Sequence, residues 1–465
     1  MNTAAVREAE TPSGPAHPSS GATRALGLTM CTALLVGNTI GVGIFMLPAS
    51  LAPYGLNALP AWLITAVGCI FVAWVFAGLA RSFPDDDGPY AYASRAFGGG
   101  VAFVLMWCYW VSTWVTNAVI ATGVVGYLSI FFPVLGVERW LAAVVALALL
   151  WLFVLINLRG VRTAGWVQVL STVLKLLPQF GIVALGLWAL FAPHAKPIVH
   201  VPQTPLSLSG VLVASTLALY AMLGVESAAM PAGRVRDPGR TIPRATFIGT
   251  LLVALIYICV SLVPMLLLPQ AELAASNAPF ADLFARFLGG TSGKLLAAFV
   301  IVSGLGALNG WTLILGELTV SFARHGGFPQ WLGKVNSNRA PTRAFVFTGI
   351  LASLMMVTNY NDTMAGAFTF LSVVVTAANL PIYFGCALAV VALWRRGQIP
   401  RPGRREARWL AAAVLATIYC IWVSIGIGAR PLLWALVLSA AGIPVYGTYW
   451  WYAHLRRGAI AARAA

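Results

Sequence analysis

Long apolar runs alternate with short polar stretches along almost the whole chain. They lie at about 25–54, 58–81, 99–130, 139–157, 164–191, 207–231, 244–267, 294–323, 344–358, 363–394, 408–427 and 431–454. A bilayer's hydrocarbon core, roughly 30 Å thick, takes about 20 residues of helix to cross. The pattern therefore predicts an all-α polytopic membrane protein of about twelve transmembrane helices. A shorter stretch, 278–289, predicts an interfacial helix between the seventh and eighth spans. Polar, Gly/Pro- and Arg-rich segments separate the runs. Residues 1–24 are rich in Ser, Pro, Ala and Gly, which predicts a disordered tail rather than a signal peptide. The transmembrane domain is expected over 25–455, with a short basic tail at 456–465.

Composition agrees: 60% of the residues are hydrophobic and only 9% charged, against about a quarter charged in soluble domains. The net charge of +16 would suggest nucleic acid in a soluble protein. Position decides otherwise. With both termini on one side, 23 Lys/Arg fall on that side, and five (Arg139, Lys196, Arg286, Lys294, Arg430) on the other. This asymmetry predicts an even number of spans, cytoplasmic termini and residence in the plasma (inner) membrane; no nucleic-acid partner is expected, and the bilayer is. The cysteines sit inside apolar runs without metal-ligand spacing, so no disulfide, metal or other cofactor is expected. A membrane-embedded enzyme would need paired acids, a Cys/His couple or metal ligands near the interface. The acid cluster Asp85–Asp87 has no histidine nearby in sequence, so the chain does not read as an enzyme.

Two runs carry glycine-marked interruptions, Gly41-Val42-Gly43 in the first and Gly224 before Glu226 in the sixth, five helices apart. Interrupted helices at matching places in two halves point to a transporter's binding site; the alternative is that these glycines let helices pack closely. An unwound segment frees backbone N–H and C=O groups to hold a carboxylate or an ammonium. Gly37–Pro48 suits this role: Gly41 and Gly43 permit unusual dihedrals and close approach, and Asn38 can bond exposed backbone.

The pattern G-N-x-I-G-x-G-I-F-x-L-P at 37–48 resembles the first helix of the amino acid–polyamine–organocation family. The match continues in order through Gly88-Pro89-Tyr90-Ala91-Tyr92, Gly224-Val225-Glu226-Ser227-Ala228, Arg236-Asp237-Pro238-Gly239-Arg240-Thr241-Ile242-Pro243 and Gly310-Trp311. Within the family the chain is most similar to the basic amino acid and polyamine antiporters, such as arginine/agmatine exchangers. The resemblance implies a leucine-transporter-type fold of two inverted five-helix repeats plus two helices, working by alternating access. It also implies an amino acid or polyamine-like amine as substrate, exchange as the mode, proton-coupled uptake as the alternative, and compatibility with a homodimer. By the same resemblance the substrate carboxylate lies near Gly41, Val42 and Gly43, and the α-amino group near Tyr220, Ala221 and Gly224. Trp311 matches an aromatic that stacks on a cationic side chain. Tyr109, Ser112, Thr113 and Asn117 fall on the matching third helix, where Tyr109 and Asn117 match pocket and substrate-sensing positions, while Tyr90 and Glu226 match gating positions.

Val42, Ala221 and Ala307 stand where the arginine exchangers have serines, and Tyr220 replaces a tryptophan. These departures remove hydroxyls and reshape the pocket, pointing to a less polar or differently shaped side chain than arginine's. Lys175, Glu226 and Glu317 are the charges within the apolar runs, costly there and hence functional hypotheses. Lys175 resembles a fifth-helix lysine that, in relatives, occupies a sodium ion's place and bridges the first and eighth helices; sodium independence follows from that resemblance. Glu317 reads either as an attractor for cationic substrate, a titrating partner of Lys175, or a group near the cytoplasmic end of its helix.

Overall fold

The computed structural model describes residues 27–83, 88–159, 161–191, 200–228, 235–324, 327–336, 340–358, 362–399 and 403–448. The predicted tails and Asp85–Asp87 lie outside these. Its helices are α1 (Leu28–Thr39), α2 (Gly43–Leu51), α3 (Ala58–Ser82), α4 (Pro89–Phe97), α5 (Gly99–Leu128), α6 (Val134–Val137), α7 (Arg139–Leu158), α8 (Val161–Phe191) and α9 (Leu208–Met222). They continue with α10 (Pro238–Leu267), α11 (Gln270–Ala275), α12 (Pro279–Leu288), α13 (Gly290–Arg324), α14 (Thr342–Val357), α15 (Met364–Arg395), α16 (Arg404–Ile425) and α17 (Ala429–Ala440). Helix lies in each of the twelve apolar runs among the described residues, and the short stretch expected at 278–289 is α12. Among the described residues, eight helical stretches are long and apolar enough to cross a membrane alone, and four shorter ones are also apolar. The chain is a multi-pass, all-helical membrane protein.

Two spans are split. The first is α1 followed by α2; the second is α9 followed by a single 3-10 turn over Val225–Ala228. Five spans apart, they match two five-helix repeats, with α16 and α17 as the remaining pair. α5 and α15 are buried along most of their length and form the centre, against which α13, α9, α2 and α3 pack. The α5–α13 seam is antiparallel. Trp110 Nε1 donates to Thr319 Oγ1 at 2.9 Å, and further along Val124 fills the space over Gly304 that a Cβ would need. Peripheral helices expose apolar side chains, such as Leu152 and Leu155 of α7, Ile350 and Leu354 of α14, and Leu433 and Leu436 of α17. In water such a surface would aggregate; in lipid it is the solvated face.

Counting spans, the turn after α2 and the loop before α9 lie on the membrane face opposite the termini, the far face. Asn57, fully buried, ties them together. Its amide donates to the Tyr54 and Pro205 carbonyls at 2.8 and 2.9 Å, and its Oδ1 accepts the Ser207 N–H at 2.7 Å. Ser207 in turn caps α9 through the Gly210 N–H. Asn57→Ala would leave three part-buried backbone groups without this partner, at a cost of about 1–3 kcal/mol in total. The purified variant should unfold at a lower temperature than its parent in a detergent thermal melt, by at least about 2 °C. An unchanged midpoint would show that water replaces Asn57 at no cost.

Candidate functional site

The site grows from what the two breaks do to the backbone. α1 ends at Ile40, whose extended conformation (φ −76°, ψ 104°) stops the helix, and α2 restarts at Gly43. The last carbonyls of α1 lose their helical partners, and two side chains from other spans supply them. Lys175 Nζ donates to the Gly37 carbonyl at 3.0 Å, and the Tyr257 hydroxyl donates to the Thr39 carbonyl at 2.9 Å. Lys175 is buried, the fifteenth of the 31 residues of α8, so it does not snorkel to the interface. Its described hydrogen bond reaches the first span; a bridge onward to the eighth is not among the described contacts.

The second break is sharper. Leu223 leaves the helix in an extended conformation, and Gly224 takes φ +101°, where L side chains are strained. Glu226 folds back beneath it and is buried. Its carboxylate accepts the Gly224 N–H at 3.2 Å, the Tyr383 hydroxyl at 2.6 Å and the Tyr109 hydroxyl at 3.3 Å. Among the described residues no Lys or Arg pairs with it. Three neutral donors from α5, α15 and the break itself thus hold a carboxylate inside the membrane.

Between the breaks lies a small, partly open cavity. Gly41, Val42, Gly43 and Ile44 form one wall, Tyr220, Ala221 and Leu223 the opposite one, and Thr116, Ile120 and Trp311 the side, with Thr39 at the edge. The N-terminal N–H groups of α2 and the C-terminal carbonyls of α9 meet across it, a positive helix end facing a negative one. Among the described residues no charged side chain lines the cavity.

Of the residues singled out in the sequence, Gly41, Val42, Gly43, Tyr220, Ala221 and Trp311 converge on the cavity. Ala307 stands behind Gly41, its Cβ 3.8 Å from where a Cβ there would lie. Asn117 is buried, and its Oδ1 has no hydrogen-bond partner among the described residues. It lies midway between Trp110 and Val124, so the α5–α13 register sets it opposite the Trp311–Thr312 turn. Tyr109 and Gly224 serve Glu226 instead of the cavity. Ser112 and Thr113 both bond the Tyr109 carbonyl, at 2.7 and 2.8 Å, and Ser112 also donates to Asn379 Oδ1 at 3.2 Å. Tyr90 packs its ring against Phe322, 6.3 Å between centroids. Glu317 is exposed on α13 and does not line the cavity, because six residues carry it past the face that Trp311 presents. The Asn38 side chain lies outside the described residues.

One expectation needs correction. Gly41 and Gly43 do not take left-handed dihedrals, unlike Gly224; Gly43 is needed because the Tyr220 ring lies where its Cβ would project, 2.9 Å away. The residues missed were Tyr383, Thr116, Ile120 and Leu223. Asn379 and Tyr383, four apart and so on one side of the helix, were the available signal for the first.

A family model described as amino acid permease matches residues 26–454. The chain is 31% identical over 428 residues to a cadaverine/lysine antiporter of Escherichia coli, covering 89% of this chain and 92% of that protein. It is 30% identical to an arginine/ornithine antiporter of Pseudomonas aeruginosa (90% and 89% covered). A putrescine transporter of Haemophilus influenzae is 28% identical, with 91% and 96% covered.

Gly43→Ala should fold but displace Tyr220, whose ring is wedged between Gly43 and Phe368 (centroids 5.8 Å apart). Overpacking of this kind costs about 1–3 kcal/mol, which predicts roughly tenfold weaker binding of whichever amino acid or amine stabilises the parent protein. Calorimetric titration of both proteins measures it, and equal affinity would remove the Tyr220–Gly43 contact from the site.

Proposed function

The chain belongs to the amino acid permease family, among the amino acid–polyamine–organocation transporters, and from that premise we propose that it exchanges amino acids and related amines across the inner membrane. The observation that carries this reading is the cavity between two opposed helix ends. A zwitterion places its carboxylate at the N-terminus of α2 and its ammonium at the C-terminus of α9, so both charges meet backbone dipoles. The substrate's side chain then extends toward Thr116, Ile120 and Trp311. There the indole face and the Asn117 Oδ1 suit a cationic or polarised group, a cation–π contact beside a hydrogen-bond acceptor. Val42, Ala221 and Ala307 leave the site with fewer hydroxyls than the arginine exchangers have, which supports a substrate other than arginine.

In this reading Tyr109, Glu226 and Tyr383 form a gate on the side of the termini, the cytoplasmic one by the distribution of basic residues. Closing it joins the sixth span to α5 and α15; opening it parts the hydroxyls from the carboxylate. Tyr90, packed on the end of α13, belongs to the same side. Lys175 acts as a fixed cap on α1, a role that supports exchange over proton-driven uptake and leaves no carboxylate cage for sodium. The exposed apolar faces of α16 and α17 suit lipid, and pairing of two copies as a homodimer belongs to this reading as well.

The test uses purified protein in liposomes. Vesicles preloaded with amino acid or amine should take up labelled substrate several-fold faster than empty ones, equally with sodium or choline outside. Gradient-driven accumulation in empty vesicles, abolished by Lys175→Ala, would overturn the exchange reading. Trp311→Ala should weaken binding about tenfold, in line with loss of a desolvated aromatic contact, while the protein stays monodisperse. Unaltered affinity would take Trp311 out of the site.

A further inference from the structure

α16 lies outside the two five-helix repeats and does not line the cavity, yet it is fastened to the broken sixth span at three points. The Thr216 hydroxyl of α9 donates to the Val423 carbonyl of α16 at 3.1 Å. Trp422 Nε1 donates back to Ser215 Oγ at 3.2 Å. Between them Gly426 lets the two backbones touch: a Cβ there would run into the Leu212 carbonyl and the Thr216 hydroxyl. Small residues at helix crossings in lipid permit such contact, and three ties within one turn leave little slack. The same turn of α9 is held from its other sides, as Thr376 of α15 donates to the Thr216 carbonyl and Thr65 of α3 to the Ser215 carbonyl.

Thr216 stands one helical turn from Tyr220, on the same line of α9, and Tyr220 forms part of the cavity wall. The opposite side of α16 carries Val414, Ile418, Ile421 and Ile425, all exposed and apolar. α16 thus joins lipid on one side to the wall of the cavity on the other. We propose that α16 is a positioning element for the far-face half of the sixth span. Through Thr216, Trp422 and Gly426 it holds α9, and with it Tyr220, and so sets the balance between the carrier open to the far face and the carrier open to the face of the termini. Opening toward the far face requires α9 to part from α16 or to carry it along; weakening the ties favours that opening.

Linkage gives this a readout that mere structural support lacks. A variant that shifts the balance toward the far-face-open state lowers the half-saturating concentration on that face and raises it on the other, and the ratio of the two changes by the factor of the equilibrium. Thr216→Val, nearly isosteric, and Trp422→Phe each delete one tie. Each should move the two half-saturation values in opposite directions and change their ratio by about fivefold, the effect of one ordinary hydrogen bond on an equilibrium. Thr216→Ser should restore the parent values. Gly426→Ala should shift them further where it folds, and the other two variants decide the matter where it does not. The assay is exchange in oriented liposomes, with substrate concentration varied on one face at a time. Values that move together, or not at all, in folded protein overturn the proposal. It rests on the exchange reading above, and a parent protein that exchanges nothing would remove that reading instead.

Discussion

A backbone N–H or C=O that leaves its helix inside a bilayer must find another partner, since no water is there to supply one. This chain breaks two spans at mid-membrane and answers the demand in two ways. At α1 the stranded carbonyls take donors from distant helices, Lys175 and Tyr257. At the sixth span the Gly224 amide takes a carboxylate, Glu226, which then needs hydroxyls from Tyr109 and Tyr383. The groups left over, at the start of α2 and the end of α9, border the cavity. A single accounting rule therefore links the buried charges, the tyrosines around them and the place where a solute fits.

The spans were legible because lipid demands long apolar runs, a signal too strong for local propensity to obscure. Both breaks were legible too, through glycines beside Asn38 and Glu226 in otherwise apolar sequence. What the sequence could not reveal was which helices face which. Thr116 and Ile120 look like any other residues of a buried span, and their place in the wall depends on how α5 is rotated against α2 and α13. Tyr383 was hidden for the same reason: its partner lies 157 residues earlier in the chain, and one sequence alone holds no record of that pairing.

The glycines show a subtler gap between pattern and cause. The Gly-Val-Gly motif suggests unusual dihedrals, yet only the second break uses one, at Gly224. In the first break glycine provides room at Gly43, where the Tyr220 ring stands 2.9 Å from the place of a Cβ, while a Cβ at Gly41 would meet Ala307 only at an ordinary 3.8 Å. The same residue type thus serves torsion in one half of the chain and volume in the other. A substitution at either place fails for a different reason, strain in one and collision in the other.

Among the described residues the cavity wall is built from peptide dipoles, hydroxyls and apolar side chains, with no group that changes its charge between acid and neutrality. Peptide dipoles keep their sign at every pH at which the helices exist. The recognition surface is therefore the same in acid as at neutrality, and whatever acidity does to this carrier must act through the solute's own protonation or through groups set back from the wall. An organism that acidifies its surroundings changes which form of the solute is on offer, while the frame that receives it stays constant.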